Sequence, residues 1–548
     1  IWNNITAKYG IISDRNVKPK YDCQELKSTF LIKSIDQAFA RWEKSGFYNP
    51  DNFELFCEYL LPYRIQNEPV EDYRERYYQK FKQIADTASS ALGAVKAFYN
   101  ELYQKESFRT SSTLWEYPLE YPTSKMELGH RGSCRQLATY MALALRACGI
   151  PSTIDRAIWA NRSNGHEWNV IIQKDGKAFP FDALDRKRLI FVYKPAKIFR
   201  KTFSNAVSVP DTKEIPSGMV VPDEKDVTNE YVKSYDVTIP VNYPNDRYKS
   251  YKYAVICTFD NSGWMPVFWG EITSAKALFK NMASGVAYMA AFYDGLRITP
   301  ASEPFLLRTD GKAEKCRANH TELTEMQLER KYPLFSHVSG FSRSLVDATV
   351  EASNDKDFRN STIFFTIGVR SQNITDSMVN NSQKFRYIRW NTSSATEGNL
   401  AEVEFYGKRS PKDSEEKLSG EIIGSLAERN YLNSYKEAMD GNLETWFQKP
   451  KKAEGWVGLD LGESNEQILT RVRYCPRSDT NFILQGDTYE LFYWENGKWQ
   501  SLGKKVAEQY NSIAYDNVPS GTIYLLRDRT RGREERIFTY ENGKQVWW

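Results

Sequence analysis

Two periodicities of apolar positions divide this chain. Up to about residue 110 apolar residues recur every three or four positions, the repeat of a helix with one buried face. Ser34-Ile35-Asp36-Gln37 reads as a capping box, with Ile35, Phe39 and Trp42 following at helical spacing and Gly46 closing the run as a left-handed cap. Asp51 is expected to cap a second helix with the face Phe53, Phe56, Cys57 and Leu60, stopped by Pro62. A third helical stretch runs from about Val70 through Tyr103, broken near Ser89-Ser90, and presents Tyr73, Tyr77, Phe81, Ile84 and Ala85. Faces of this kind need a partner surface, and the segment that follows them supplies it.

Between Gly129 and Asp185 the pattern changes twice. Gly132-Ser133-Cys134 leads into Leu137, Tyr140, Met141, Leu145 and Cys148, an amphipathic helix stopped by Gly149 and Pro151. Period-two alternation then takes over: residues 152–159 and 167–173 read as strands around a turn at 161–165. Lys174-Asp175-Gly176-Lys177 reads as a hairpin turn, and Ala178 to Phe181 as the return strand. His166 and Asp182 thereby fall on neighbouring antiparallel strands. Residues from about Lys187 to Lys225, rich in Lys and Pro, read as the end of this domain and a linker.

The remainder alternates with period two. Ser234 to Pro240, Lys252 to Phe259, Trp264 to Thr273 and Val286 to Phe292 suggest a small β-sandwich. Arg386 to Trp390, Ala401 to Gly407 and Tyr489 to Trp494 suggest further sandwiches. Glu495-Asn496-Gly497-Lys498 and Glu541-Asn542-Gly543-Lys544 have the form of Asn-Gly hairpins. With a boundary near Ser410-Pro411-Lys412-Asp413, the expected division is 1–225 (helices and a catalytic α+β domain), 226–308, 309–411 and 412–548.

Composition adds limits. A chain of 548 residues exceeds one core. Lys and Arg total 74 against 70 Asp and Glu, dispersed along the chain, so nucleic acid is not an expected partner. Aromatics make up 14%, which suits β-sandwiches and surfaces that stack on sugars or peptides. No apolar run is long enough to span a membrane. The chain opens on Ile1-Trp2-Asn3 without an apolar leader, so a processed or truncated product is expected. The seven Cys at 23, 57, 134, 148, 257, 316 and 475 are scattered and odd in number, which argues against a disulfide framework and leaves at least one free thiol.

The chemistry concentrates on Cys134. A cysteine attacks carbonyl carbon as thiolate, so it needs a base within reach and a positive environment. The helix start supplies the second, His166 the first, and Asp182 would hold the imidazole's tautomer. Of the four His, at 130, 166, 320 and 337, only His166 lies on a strand after the Cys helix with an Asp downstream. The Cys134 amide would serve an oxyanion, with Trp115 and Tyr117 as candidate second donors. No HExxH, CxxC pair, phosphate loop or GxSxG elbow occurs, so catalysis calls for no cofactor.

Gly132-Ser133-Cys134, Ala147-Cys148-Gly149-Ile150-Pro151, Gly165-His166-Glu167-Trp168 and Phe181-Asp182 together resemble the transglutaminase-like superfamily of papain-type cysteine enzymes. The resemblance covers roughly residues 110 to 190. It implies a Cys134, His166, Asp182 triad on a helix plus antiparallel sheet, and acyl transfer at an amide through a thioester. Peptide hydrolysis, protein cross-linking and cleavage of glycan-linked amides all remain open.

Met439-Asp440-Gly441-Asn442-Leu443-Glu444-Thr445-Trp446, Gly455 to Gly462 and Val472 to Arg477 resemble the discoidin, or coagulation factor 5/8 type C, family of galactose-binding-like jelly rolls. That resemblance implies a structural calcium on Asp440, Asn442 and Thr445, all oxygen donors suited to a hard cation. Residues 310 to 410 resemble a second, more divergent copy. The expectation is therefore a multidomain α+β protein: an N-terminal helical and transglutaminase-like domain followed by all-β sandwiches. It would be secreted, periplasmic or cell-surface and act on peptides or glycoproteins, with glycans as partners. The alternative is a non-enzymatic carbohydrate- or protein-binding surface protein with an inactive triad.

Overall fold

The computed structural model describes residues 20–111, 120, 122–182, 189, 191, 193–219, 221–425, 433–532 and 534–548. The chain divides into two units, Ile1–Cys316 and Arg317–Trp548.

In the first unit the helices Ser28–Trp42, Phe53–Tyr59, Arg74–Thr87 and Ala91–Tyr99 precede a short helix Thr123–Gly129 and the central helix Cys134–Ala147. The break expected near residue 89 is present, and Ser90 caps the following helix by accepting from the Gly93 amide. The capping box expected at Ser34 is not. The helix starts at Ser28, and Ser34 lies buried in its interior, where its hydroxyl accepts from Arg74 Nε at 3.0 Å. A hydroxyl three residues before a Gln has two uses, and here a buried guanidinium claimed it. Gly46 is not left-handed either; a Cβ there would lie 2.8 Å from the Ala88 carbonyl oxygen, so its smallness serves a close approach.

Every residue of the central helix from Gln136 to Ala147 is buried. Its polar members are paired: Arg146 donates to the carbonyls of Ser152, Pro62 and Arg64 at 2.9, 3.2 and 2.9 Å. Arg74 donates to the neighbouring carbonyls of Leu60, Leu61 and Pro62. Two buried guanidinium groups thus hold the turn at 60–64 against the helix, satisfying carbonyls that water cannot reach. Gly149 ends the helix at φ +76°, and a Cβ there would lie 2.5 Å from the Arg41 carbonyl oxygen.

Beyond it lies a five-stranded antiparallel sheet in the order Ala178–Phe181, Gly165–Ile172, Ser152–Trp159, Pro195–Lys201, Glu224–Asp226. Period-two reading located its first three strands to within two residues. A second sheet, from Ser234–Pro240 to Ala313–Lys315, follows in the same unit. The sandwich expected at 226–308 is, in hydrogen bonding, one continuous sheet around one core of Val237, Ile256, Phe279, Tyr288, Phe292 and neighbours. It extends past residue 308, because Ala313–Lys315 pairs with Phe305–Leu307. The two sheets are joined through Lys197, whose buried ammonium donates to Asp226 and to the carbonyls of Lys280 and Asn281.

In the second unit the expected division at 411 is not followed. Tyr387–Asn391 pairs with Trp456–Asp460, and Gly398–Lys408 with Ile468–Pro476, so strands from both sides of 411 share both sheets of one sandwich spanning 349–476. Trp390, Val403, Phe405, Leu459 and Val472 fill its core. Residues 310 to 410 are therefore not a second copy. A further all-β body is built from the strands of 488–547, with Asn319–Leu328 brought in to pair with Ile513–Ser520. Alternation announces a strand but not its partner, and these partners lie tens to hundreds of residues apart. Both Asn-Gly hairpins are present, with Asn496, Gly497, Asn542 and Gly543 all at positive φ as a type I′ turn requires. None of the seven cysteines is in a disulfide. No helix among the described residues is long and apolar enough to cross a membrane.

Gly149 offers a direct check of the central helix's packing. Gly149→Ala combines a left-handed backbone with a backbone clash and is expected to cost about 2 kcal/mol or more. An unchanged urea midpoint would contradict the tight approach of Arg41.

Candidate functional site

The central helix begins with a capping box that sequence reading passed over. Ser133 accepts from the Gln136 amide at 3.4 Å, and the Gln136 side chain accepts from the Ser133 amide at 2.9 Å. The signal was present as Ser-Cys-Arg-Gln, one residue before the apolar run. With the N-terminus so fixed, Cys134 is the first helical residue and half-buried, at the positive end of the helix dipole.

Two hydrogen bonds set the sheet against this helix. Asn169, fully buried, donates to the Ala138 carbonyl at 2.7 Å, and Ser152 donates to the Ala142 carbonyl at 2.9 Å. His166 stands near the start of its strand, and Asp182 one residue beyond the strand that pairs with it. Their side chains meet, with His166 Nε2 at 2.8 Å from Asp182 Oδ2. Nδ1 is the ring nitrogen left for the Cys134 thiol. Burial opposes protonation of the ring, but the hydrogen bonds to Asp182 and Cys134, together with their charges, outweigh it and push His166 up to about 10. The structure thus brings together the three residues that sequence reading singled out.

Around them lies a cleft of about 640 Å³. Its floor carries an ion-pair network that sequence reading did not find. Arg135 and Glu167, which directly follow Cys134 and His166, pair at 2.8 Å, and Gln66 donates to the other Glu167 oxygen at 2.8 Å. Arg135 also approaches Glu120 at 3.5 Å. Nothing in their spacing pairs residues 32 apart, so only the fold reveals the contact. The opposite wall is formed by Thr258, Asp260 and Met265 to Val267 of the second sheet.

The remaining histidines lie elsewhere. His130 caps the preceding helix in the left-handed region and stacks on Phe108. His320 pairs with Glu495. Trp115 and Tyr117, the candidate oxyanion donors, fall outside the described residues. Cys148 is buried, and burial pushes its thiol up to about 12, as a packing residue should have it.

Residues 79–183 match the model of the transglutaminase-like superfamily. This stretch is a transglutaminase-like domain. The match contains Cys134, His166 and Asp182 and ends one residue beyond the last of them. No curated protein matches the chain. The transglutaminase-like domain thus comprises the helices from residue 79 onward, the central helix and the first three strands of the sheet, while the second sheet, which forms the far wall of its cleft, lies outside the match.

In the second unit Asp440, Asn442 and Thr445 are also gathered. Asp440 accepts from the Asn442 amide and the Thr445 hydroxyl, each at 2.8 Å, and Glu402 accepts from the Gly441 amide at 3.1 Å. Burial, reinforced by the charges of Asp440 and Glu404 against the Gly441 hydrogen bond, pushes Glu402 up to about 8. No cluster of three or more His, Cys, Asp or Glu that could hold a metal occurs among the described residues.

The His166 shift carries a stability consequence. An unfolded His titrates near ~6.5, and the folded ring near about 10, so folding favours the protonated form. This contribution is fully present below about pH 6.5 and is lost as pH rises through about 10. Asp182→Asn removes the carboxylate charge that is hydrogen-bonded to the ring. The gap in urea midpoint between the native protein and Asp182→Asn should therefore be widest near pH 6 and narrow steadily above pH 7. A gap that widens with rising pH in that window would contradict the assignment.

Proposed function

We propose that this protein is a cysteine enzyme that cleaves amide bonds of peptides or glycoproteins through a thioester on Cys134. The observation that carries the reading is the His166–Asp182 hydrogen bond, set beside a cysteine at a capped helix N-terminus and open to a cleft.

The chemistry follows from these groups. With the proton held on the His166 imidazolium, the Cys134 sulfur attacks the substrate carbonyl as thiolate, forming a C–S bond and an oxyanion. The imidazolium, held by Asp182, donates its proton to the leaving nitrogen as the C–N bond breaks. Water, deprotonated by the neutral imidazole, then attacks the thioester and releases the acid, which restores the imidazolium and the thiolate. The Cys134 amide at the helix start would face the oxyanion. Hydrolysis is proposed over cross-linking because water is the most abundant acceptor outside the cell.

The sandwiches of the second unit are proposed to hold glycan in the manner of discoidin-type modules, and the enzyme to work outside the cell. A calcium ion is proposed on Asp440, Asn442 and Thr445, with Glu402 alongside. Their donors are all oxygen, and a divalent cation would relieve the crowding of Asp440 and Glu402.

Three outcomes test the proposal. Iodoacetamide should modify Cys134 well ahead of the other six cysteines; equal or absent labelling there would favour a non-enzymatic binding protein. Cys134→Ala should abolish turnover of a mixed glycopeptide pool read by mass spectrometry, and Asp182→Asn should lower it by about 10²- to 10⁴-fold, with the fold intact by circular dichroism. Millimolar calcium should raise the melting temperature of the native protein and not of Asp440→Ala, and chelation should reverse the gain. No shift in the native protein would remove the ion from the proposal.

A further inference from the structure

The cleft beside Cys134 carries as many arginines as carboxylates, and each is engaged within the protein. Arg135 is paired with Glu167 and Glu120. Arg156 makes two hydrogen bonds of 2.6 Å to Glu224. Asp260 accepts from the Ser262 amide, the Ser262 hydroxyl and the Gly263 amide at 2.7 to 2.9 Å. Arg162 lies over the Tyr193 ring with its guanidinium carbon 4.2 Å from the centroid. A charged substrate group entering here would lose water and find Arg135, Arg156 and Asp260 already committed.

What the cleft offers instead is apolar. Ile158 on the catalytic sheet and Met265, Pro266 and Val267 on the second sheet line the same cleft as Cys134, with Ile158 packed against the core that contains Val267. This far wall is a built feature. Pro266 stands in mid-strand at a bulge between Pro266 and Phe268, the kind of irregularity that re-aims neighbouring side chains. Phe268, next along, packs on Phe199 of the catalytic sheet with ring centroids 5.9 Å apart, and Lys197 lies 4.2 Å over the Phe268 ring. The wall is therefore anchored to the same sheet that carries His166.

We infer that the second sheet is part of the enzyme's substrate site: the bulged segment Met265-Pro266-Val267 selects an uncharged, aliphatic group next to the amide that Cys134 attacks. The inference rests on the cysteine-enzyme reading above and adds the substrate class and the residues that choose it. Met265 and Pro266 are partly exposed and present the wall, while Val267 is buried behind them.

The test uses the full chain and three thiol electrophiles of equal warhead: iodoacetamide, its N-(3-methylbutyl) derivative and its N-carboxymethyl derivative. Modification of Cys134 is followed by peptide mass spectrometry, with each rate divided by that of iodoacetamide on the same protein. In the native protein the branched-alkyl probe should be about tenfold faster than iodoacetamide, and the carboxymethyl probe slower. Met265→Asp should bring the alkyl ratio to about one, and Met265→Ala should give an intermediate value. An alkyl ratio of one in the native protein, or a high ratio that neither variant moves, overturns the inference while rapid iodoacetamide labelling of Cys134 keeps the enzyme reading. Labelling of Cys134 no faster than that of exposed Cys23 overturns both.

Discussion

The burial of the central helix from Gln136 to Ala147 is the constraint on which the first unit depends. A helix with no solvent-facing side must have every polar side chain satisfied from neighbouring elements. Arg146 meets this through three carbonyls, two of them in the turn at 60–64, and Asn169 and Ser152 donate to the helix's own carbonyls from the sheet. Each bond ties a different element to the helix. The N-terminal helices, the turn at 60–64 and the antiparallel sheet are consequently placed relative to its axis, and Cys134, at the one end that reaches the cleft, inherits that placement.

The same fixation explains how side chains from three elements come together, with His166 2.8 Å from Asp182 and Cys134 lining the same cleft as His166. Asn169 sits three residues after His166 on one strand, so its bond to Ala138 sets the height of the imidazole along the helix. Asp182 arrives by the hairpin at 174–177, whose register pairs Asn169 with Phe181. Arg135 and Glu167 then close the helix start onto the strand with an ion pair next in sequence to Cys134 and His166. An ion pair with one partner half-exposed contributes little to stability. Its consequence lies in orientation, and in the removal of free charge from the cleft floor.

The second sheet gains a role from this arrangement. Lys197, wholly buried, cannot remain charged without partners, and it finds them in Asp226 and in two carbonyls of the second sheet. Burial lowers its affinity for a proton, and Asp226 works against that. A joint of this kind holds Met265 and Pro266 at a set position across the cleft. In the second unit a comparable dependence appears as inserted topology: the strand Asn319–Leu328 waits for Ile513–Ser520, and the 349–476 sandwich is completed between them.

Local physics made much of this legible from residues alone. The apolar repeat placed the helices, the alternation at 152–181 placed the strands, Gly149 and Pro151 ended the central helix, and Asn-Gly marked two hairpins. Cys134, His166 and Asp182 could be named because each stands at the edge of an element that the pattern defines. Where competing uses of one residue existed, the pattern failed, as at Ser34, whose hydroxyl serves Arg74 rather than a helix start. Long-range choices were out of reach for the same reason. Whether Tyr387–Asn391 pairs within 309–411 or with Trp456–Asp460, whether Arg135 finds Glu167, and which wall faces Cys134 are decided by the shape and burial of surfaces that exist only once the chain has folded.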